Sequence, residues 1–282
     1  DVMDANLDIY KQTQQAEDFM TKGVDVLIMT PVNEEGVVPI LRKAKAEGMP
    51  VVLEGSPAKG MTTLFAICDY DAGYKAGDEV GRILVSRGVK EARVMDVGLP
   101  MLSATVLRSL GFMEAIAKHL PSVKVHDLDG SGMIDSSVEV ASAALAKDSN
   151  INVIYGINDG SALGGLQAWR AAGLPEDKLV VAGTGAEGLA FLNEMTKPGT
   201  PYLVEAAMFP EGVGYTGMNL AVDLFNGVDV PKHKVTPTLA LTVNNYATYY
   251  DFDKAAQKRQ IRFADVDGIP VEDKCTKYSE DL

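Results

Sequence analysis

Apolar residues in this chain follow two alternating rhythms: short runs of Val, Ile and Leu, and longer stretches in which apolar positions recur every three or four residues. The short runs predict strands over 24–30, 50–54, 64–69, 93–97, 123–128, 152–157, 178–182 and 202–207. Between most of them the helical spacing predicts helices over 36–47, 72–87, 103–119, 138–146, 161–172 and 212–224, with a shorter one over 189–195. Strands alternating with helices of this length mean βαβ units and a parallel sheet. A run such as Val24-Asp-Val-Leu-Ile-Met29 suits a strand covered on both faces.

Eight strands fit two modest sheets better than one broad one. A length of 282 residues agrees, since chains of this size usually form two domains. The rhythm restarts after Gly98-Leu-Pro100 and again after Met208-Phe-Pro210, so these breaks are the expected passages between lobes, with Gly98 and Pro210 as hinge residues. The expected division is 1–97 with 209–237 for the first lobe, 98–208 with 238–251 for the second, and 252–282 as a C-terminal extension. Within that extension 252–262 reads as a charged helix.

In doubly wound sheets ligands bind beyond the carboxyl ends of the strands. One such turn is Asp127-Leu-Asp-Gly-Ser-Gly-Met-Ile-Asp-Ser-Ser-Val-Glu139, whose acidic spacing imitates a calcium loop. A calcium loop needs a bidentate Glu at position twelve, between two helices. Here that position is Val138, and the segment before the loop alternates like a strand. The simpler reading is a strand-to-helix turn with Ser136 and Glu139 forming a capping box.

Composition narrows the function classes. The net charge is −13 with no basic cluster, which argues against a nucleic-acid partner. No apolar run approaches the roughly 20 residues of a membrane span. The histidines His119, His126 and His233 lack metal-ligand spacing, and there is no GxSxG elbow, so no catalytic residue and no metal site is assigned. Gly183-Thr-Gly-Ala-Glu-Gly188 is a literal GxGxxG between a strand and a helix, with Glu205 roughly where a ribose-binding acid would stand. It leaves open a nicotinamide-dependent oxidoreductase, although Glu187 inside the turn would repel a pyrophosphate.

Several stretches in register carry a family likeness: Asp25-Val-Leu-Ile-Met-Thr-Pro31, Val51-Val-Leu-Glu54, Arg108-Ser-Leu-Gly-Phe112, Asn152-Val-Ile-Tyr-Gly-Ile-Asn158-Asp159 and Leu179-Val-Val-Ala-Gly-Thr-Gly185. Together they resemble the type I periplasmic solute-binding proteins of the ribose-binding class, from about Asp1 to Tyr250. The resemblance implies an α/β fold of two Rossmann-like lobes with parallel sheets joined by a multi-strand hinge. It further implies a binding protein, not an enzyme, that closes on a small ligand and presents it to an ABC permease or a chemoreceptor. A periplasmic monomer without a cofactor or membrane insertion is expected, lipid-anchored outside the cytoplasm if the source is Gram-positive. The ligand-binding core of a LacI-type regulator shares the fold and stays open as an alternative.

Carried over by position, the resemblance places Asn158 on the ligand, with Asp159 as its structural neighbour. Thr30, Glu54 and Thr184 stand where the family has other polar contacts, and Met208 where it has Gln. Val106 takes the place of an Arg, while Arg108 matches a second, structural Arg. With Met101 and Met133 at the mouth, these exchanges make the site softer and less polar, so a sugar, a polyol or a less hydroxylated relative is expected. The family opens with a strand and helix that have no counterpart here, so a βα unit of roughly 30 residues is expected to be truncated, to precede the present sequence, or to be replaced. The extension is a candidate cover for that gap, with Cys275 tethered to Cys68.

Overall fold

The computed structural model describes residues 1–271. They divide into two units, one containing Asp1–Ile67 and Glu211–Thr236, the other Cys68–Pro210 and Pro237–Pro270. The chain changes unit after Ile67, after Pro210 and after Thr236.

The first unit opens with α1 (Ile9–Thr21), capped by Asp8, whose carboxylate accepts the N–H groups of Tyr10 and Lys11. Then follow β1 (Leu27–Met29), α2 (Val38–Ala46), β2 (Val51–Glu54) and β3 (Thr63–Ile67). In the second unit come α3 (Asp69–Ser86), β4 (Glu91–Gly98), α4 (Ser103–His119), β5 (Ser122–Asp129), α5 (Ile134–Lys147), β6 (Val153–Gly156), α6 (Asp159–Ala171), β7 (Val180–Gly185), α7 (Ala190–Met195) and β8 (Tyr202–Ala207). After α8 (Pro210–Phe225) and β9 (His233–Thr236) in the first unit, the second is completed by β10 (Leu239–Leu241), α9 (Tyr246–Tyr249), β11 (Tyr250–Asp253), β12 (Lys258–Ile261) and α10 (Phe263–Asp267).

The first unit's sheet is wholly parallel, in the order β1-β2-β3-β9. Alternation along its strands sorts side chains to two covers. Leu27, Met29, Val51, Leu53, Leu64 and Ala66 pack with Ala16 and Met20 of α1 and Ile40, Leu41 and Ala44 of α2. Val52 and Phe65 point the other way, against Leu220 and Ala221 of α8. Gly217 is required in α8 because a Cβ there would stand 2.6 Å from the Phe65 ring. At ~1.5–3 kcal/mol for each fully buried large apolar side chain, both faces are needed to hold so small a sheet.

The second unit's sheet runs β10-β8-β7-β6-β4-β5, parallel except for β10 against β8. On one face Met95, Val97, Ile154 and Val181 meet Ala141, Leu145, Leu166 and Trp169 of α5 and α6. On the other, Phe112 of α4 stacks on Tyr155 of β6 with ring centroids 4.0 Å apart. Helices α3 and α4 pack backbone to backbone. A Cβ at Gly73, Gly77 or Gly111 would collide with the carbonyl of Arg108, Phe112 or Tyr70 respectively. Spacing of four residues puts Gly73, Gly77 and Gly81 on one stripe of α3, facing α4.

Several expectations are corrected. Strand β4 hydrogen-bonds to β5 and β6, and α3 packs on α4, so residues 68–97 belong to the second unit. Gly98 accordingly lies inside that unit, paired with Asp129, and the first passage falls thirty residues earlier, at Ile67/Cys68. Residues 252–262 form no helix: β11 and β12 make an antiparallel hairpin, with Tyr250 and Ile261 buried against the second unit's core. This part of the extension belongs to the second unit. The capping box at Ser136 is not formed, because α5 begins earlier, at Ile134, and Ser137 Oγ instead donates to the Met133 carbonyl at 2.7 Å. The expected Cys68–Cys275 tether involves a residue outside those described. Among the described residues no strand precedes α1, and none of the helices is long and apolar enough to cross a membrane.

Candidate functional site

In the first unit the parallel pairing of Met29 with Leu53 brings the ends of β1 and β2 side by side. Thr30 Oγ1 there donates to Glu54 Oε2 at 2.9 Å, joining the two expected polar contacts. Gln12 Nε2 of α1 donates to the Thr30 carbonyl at 2.7 Å, and its Oε1 accepts from the Val32 N–H at 3.0 Å. Helix α1 thus fixes the turn that presents Thr30.

In the second unit the strand ends form a second set of groups. Asn158 follows β6 and caps α6, its Oδ1 accepting from the Ser161 N–H at 2.7 Å. Its Nδ2 donates to the Gly132 carbonyl at 2.9 Å, which ties the turn after β5 to the start of α6. A primary amide has two N–H donors and two lone pairs, so one of each has no partner among the described residues. Met101 and Met133, in the neighbouring turns, are 61% and 64% exposed. Thr105 Oγ1 accounts for the shape of the first of these turns, donating to the carbonyls of Leu99 and Leu102.

Thr184 and Met208 are turned inward. Thr184 is fully buried and its hydroxyl donates to Tyr155 Oη at 2.9 Å. Met208 is buried, and its N–H donates to the Gly185 carbonyl at 3.1 Å. Strand β7 is buried at every position from Val180 to Gly185, so no in–out alternation marks which way Thr184 points. Arg108 is structural: its Nε is 2.7 Å from Asp69 Oδ1, and its Nη1 donates to the Ile157 carbonyl at 2.8 Å.

The glycine turn after β7 is closed by the protein's own carboxylates. Asp159 accepts from the N–H groups of Ala186 at 3.1 Å and Glu187 at 3.0 Å. Glu205 accepts from the Ala186 N–H at 2.9 Å and from Tyr202 Oη at 2.6 Å. A dinucleotide turn needs such backbone donors for a pyrophosphate. Here two acids already hold them, and α7 is only six residues long. Burial pushes Asp159 up to about 6, and its hydrogen bond with Glu205 works against that rise. Burial, then the neighbouring Asp159, raise Glu205 well above the ordinary carboxylate range, so the proton of the pair resides on Glu205. The distance in sequence that suggested a ribose-binding acid instead brings Glu205 under the turn.

Residues 1–229 match the family described as periplasmic binding protein domain. The chain belongs to that family. Among its relatives is the ribose import binding protein of Bacillus subtilis, 28% identical over 234 residues that cover 82% of this chain and 73% of the relative. The D-ribose/D-allose-binding protein of Pseudomonas aeruginosa is 27% identical over 246 residues, covering 80% of this chain and 71% of its own length. Among solved structures, an ABC transporter solute-binding protein of Mycobacterium smegmatis with bound glycerol superimposes with a TM-score of 0.80 at 22% identity, covering 89% of this chain and 85% of that one. One from Actinobacillus succinogenes with bound D-allose gives 0.79 at 19% identity, covering 88% and 87%. These structures share the binding-protein fold, and the oxidoreductase reading finds no support among them.

The residue that sequence reasoning missed is Asp96. An acid in the middle of an apolar strand, Val94-Met-Asp-Val97, was the available signal. It is buried on β4 beneath α4.

Proposed function

We propose that this binding-family protein captures a small sugar, polyol or less hydroxylated relative outside the cytoplasm and delivers it to an ABC permease or a chemoreceptor. The observation that carries this reading is the family match over residues 1–229, together with relatives named for ribose import. The residues suit it. Thr30 and Glu54 in the first unit and Asn158 in the second offer hydrogen bonds for hydroxyls, while Met101 and Met133 offer apolar contact. Thr184 and Met208 serve from beneath, shaping the wall rather than touching the ligand. Asp159 holds the adjacent turn. The protein works as a monomer without a cofactor, in the periplasm or, in a Gram-positive source, anchored by lipid at the outer surface of the membrane.

A thermal-shift panel of pentoses, hexoses, polyols and nicotinamide cofactors tests the reading. Ligand at about 100 times its dissociation constant adds ~2.7 kcal/mol, or very roughly 5–10 °C for a chain of this size. At least one sugar or polyol is expected to give such a shift. A shift with nicotinamide cofactor and none with any sugar or polyol would overturn the proposal.

A further inference from the structure

The chain has 12 methionines, and the fold sorts them by depth. Met20, Met29, Met95, Met195 and Met208 are buried, and Met49, Met61 and Met113 are half-buried. Met3, Met101, Met133 and Met218 stand exposed, Met133 and Met101 the most. These two lie in adjoining turns of the second unit. The Gly130 N–H donates to the Gly98 carbonyl at 3.0 Å, and a Cβ at Gly132 would stand 3.6 Å from Leu99 Cδ2 and 3.4 Å from Asn158 Nδ2. Asn158 in turn donates to the Gly132 carbonyl, one residue from Met133.

Helix stability explains neither methionine. Met133 is the N-cap of α5 and makes no side-chain cap bond, where Ser, Thr, Asp or Asn would accept a backbone N–H. The turn that carries Met101 is shaped by Thr105 Oγ1, which donates to the carbonyls of Leu99 and Leu102. A side chain that forgoes a local gain in stability is expected where function places it. The function available here is apolar contact with the ligand, beside the hydrogen bonds of Asn158.

A thioether held at a solvent-facing turn is open to two-electron oxidants, and the surroundings outside the cytoplasm are oxidising. With hydrogen peroxide a sulfur lone pair attacks one oxygen; the S–O bond forms, the O–O bond breaks, and the departing oxygen leaves as water after proton transfer. Sulfur is oxidised to the sulfoxide and the peroxide is reduced. A dithiol reductase reverses the change, yielding thioether, water and a disulfide. The sulfoxide is polar and chiral, so a soft contact with the carbon skeleton of a ligand gives way to an oxygen that must shed its water to be covered. We infer that Met101 and Met133 form an oxidation site whose conversion to sulfoxide lowers the affinity of the ligand site, and whose reduction restores it. The inference rests on the sugar reading of that site. Met208, buried beneath the wall, is shielded, and Met218, exposed on α8 of the first unit, is an internal control for exposure alone.

The full chain is treated with hydrogen peroxide, oxidation is mapped by mass spectrometry of its peptides, and D-ribose, D-allose and myo-inositol are titrated calorimetrically before and after. Met101 and Met133 are expected to oxidise at least tenfold faster than Met95 and Met208. Affinity for a sugar or polyol that the untreated chain binds should fall at least fivefold and return on treatment with methionine sulfoxide reductase. At saturation that ligand should slow oxidation of Met101 and Met133 at least threefold and leave Met218 unaffected. Met218→Leu should lose affinity on oxidation as the parent does, whereas the double variant Met101→Leu, Met133→Leu should keep after peroxide whatever affinity it had before. Unchanged affinity once both residues are oxidised, or a loss that persists in the double variant, would overturn the inference and leave the sugar reading standing. No binding of any of the three by the untreated chain would count against the sugar reading, and the inference would fall with it.

Discussion

Replacing Glu205 by Gln should change how stability depends on pH more than it changes stability itself. Glu205 is fully buried and carries the proton of its pair with Asp159. Glutamine imitates that protonated form: Nε2 takes the place of the hydroxyl toward Asp159, and Oε1 accepts from Tyr202 Oη. The Ala186 N–H keeps its bond to Asp159 Oδ1 at 3.1 Å but loses the one to Glu205 Oε1 at 2.9 Å, a cost that does not vary with pH. The sign follows from the raised folded-state pKa. The stabilisation is fully present below the unfolded value near 4.5 and declines as pH rises toward the folded value. In that interval the loss is ~1.4 kcal/mol per pH unit, and Gln has no such loss. The stability of Glu205→Gln relative to the parent should therefore rise from pH 5 to pH 7, with a slope no steeper than ~1.4 kcal/mol per pH unit. Urea unfolding followed by the fluorescence of Trp169, the only tryptophan and a buried residue of the same unit, reads this directly. If the two stability profiles run parallel over that range, Glu205 is ionised in the fold and the reasoning is wrong.

Other substitutions test the supports of the site. Asp159→Asn retains one acceptor oxygen where two backbone N–H groups now bond, so a loss of ~1–3 kcal/mol is expected in the same urea assay. Arg108→Met leaves Asp69 buried without its cation and should cost ~3–5 kcal/mol, whereas a loss below 1 kcal/mol would show the pair to be dispensable. Gly77→Leu must push α4 away from α3, because even a Cβ meets the Phe112 backbone; a fall in melting temperature of at least 5 °C is expected by calorimetry.

Much of the architecture was legible because parallel strands buried on both faces read as continuous apolar runs, and each of the eight predicted strands has a counterpart in the sheets. Three features were not. Helix α1 was hidden by Lys11-Gln-Thr-Gln-Gln15, since only Ala16 and Met20 of that helix are buried. The hairpin of β11 and β12 passed for a helix because Asp251, Asp253, Lys254, Lys258 and Arg259 scatter charge at near-helical intervals, while the decisive pair, Tyr250 opposite Ile261, is distant in sequence. The first passage was misplaced because nothing local tells which sheet a helix will cover. The answer lay in the glycine stripe of α3, which fits only a partner that approaches backbone to backbone.

The candidate site divides along the same line. Asn158, Thr30 and Glu54 were marked by their places at strand ends and by the family resemblance. Thr184 bore the same mark and Glu205 was noted for its spacing, but nothing local told that both turn inward. Their roles depend on Tyr155 and Ala186, residues that only the assembled sheet brings beside them.

The central claim is met most directly by calorimetric titration of the parent chain and of Glu54→Ala with D-ribose, D-allose and myo-inositol. The account predicts saturable one-to-one binding of at least one of them by the parent, weakened at least tenfold in the variant. No saturable heat from any of the three, or equal affinity in both proteins, would contradict it.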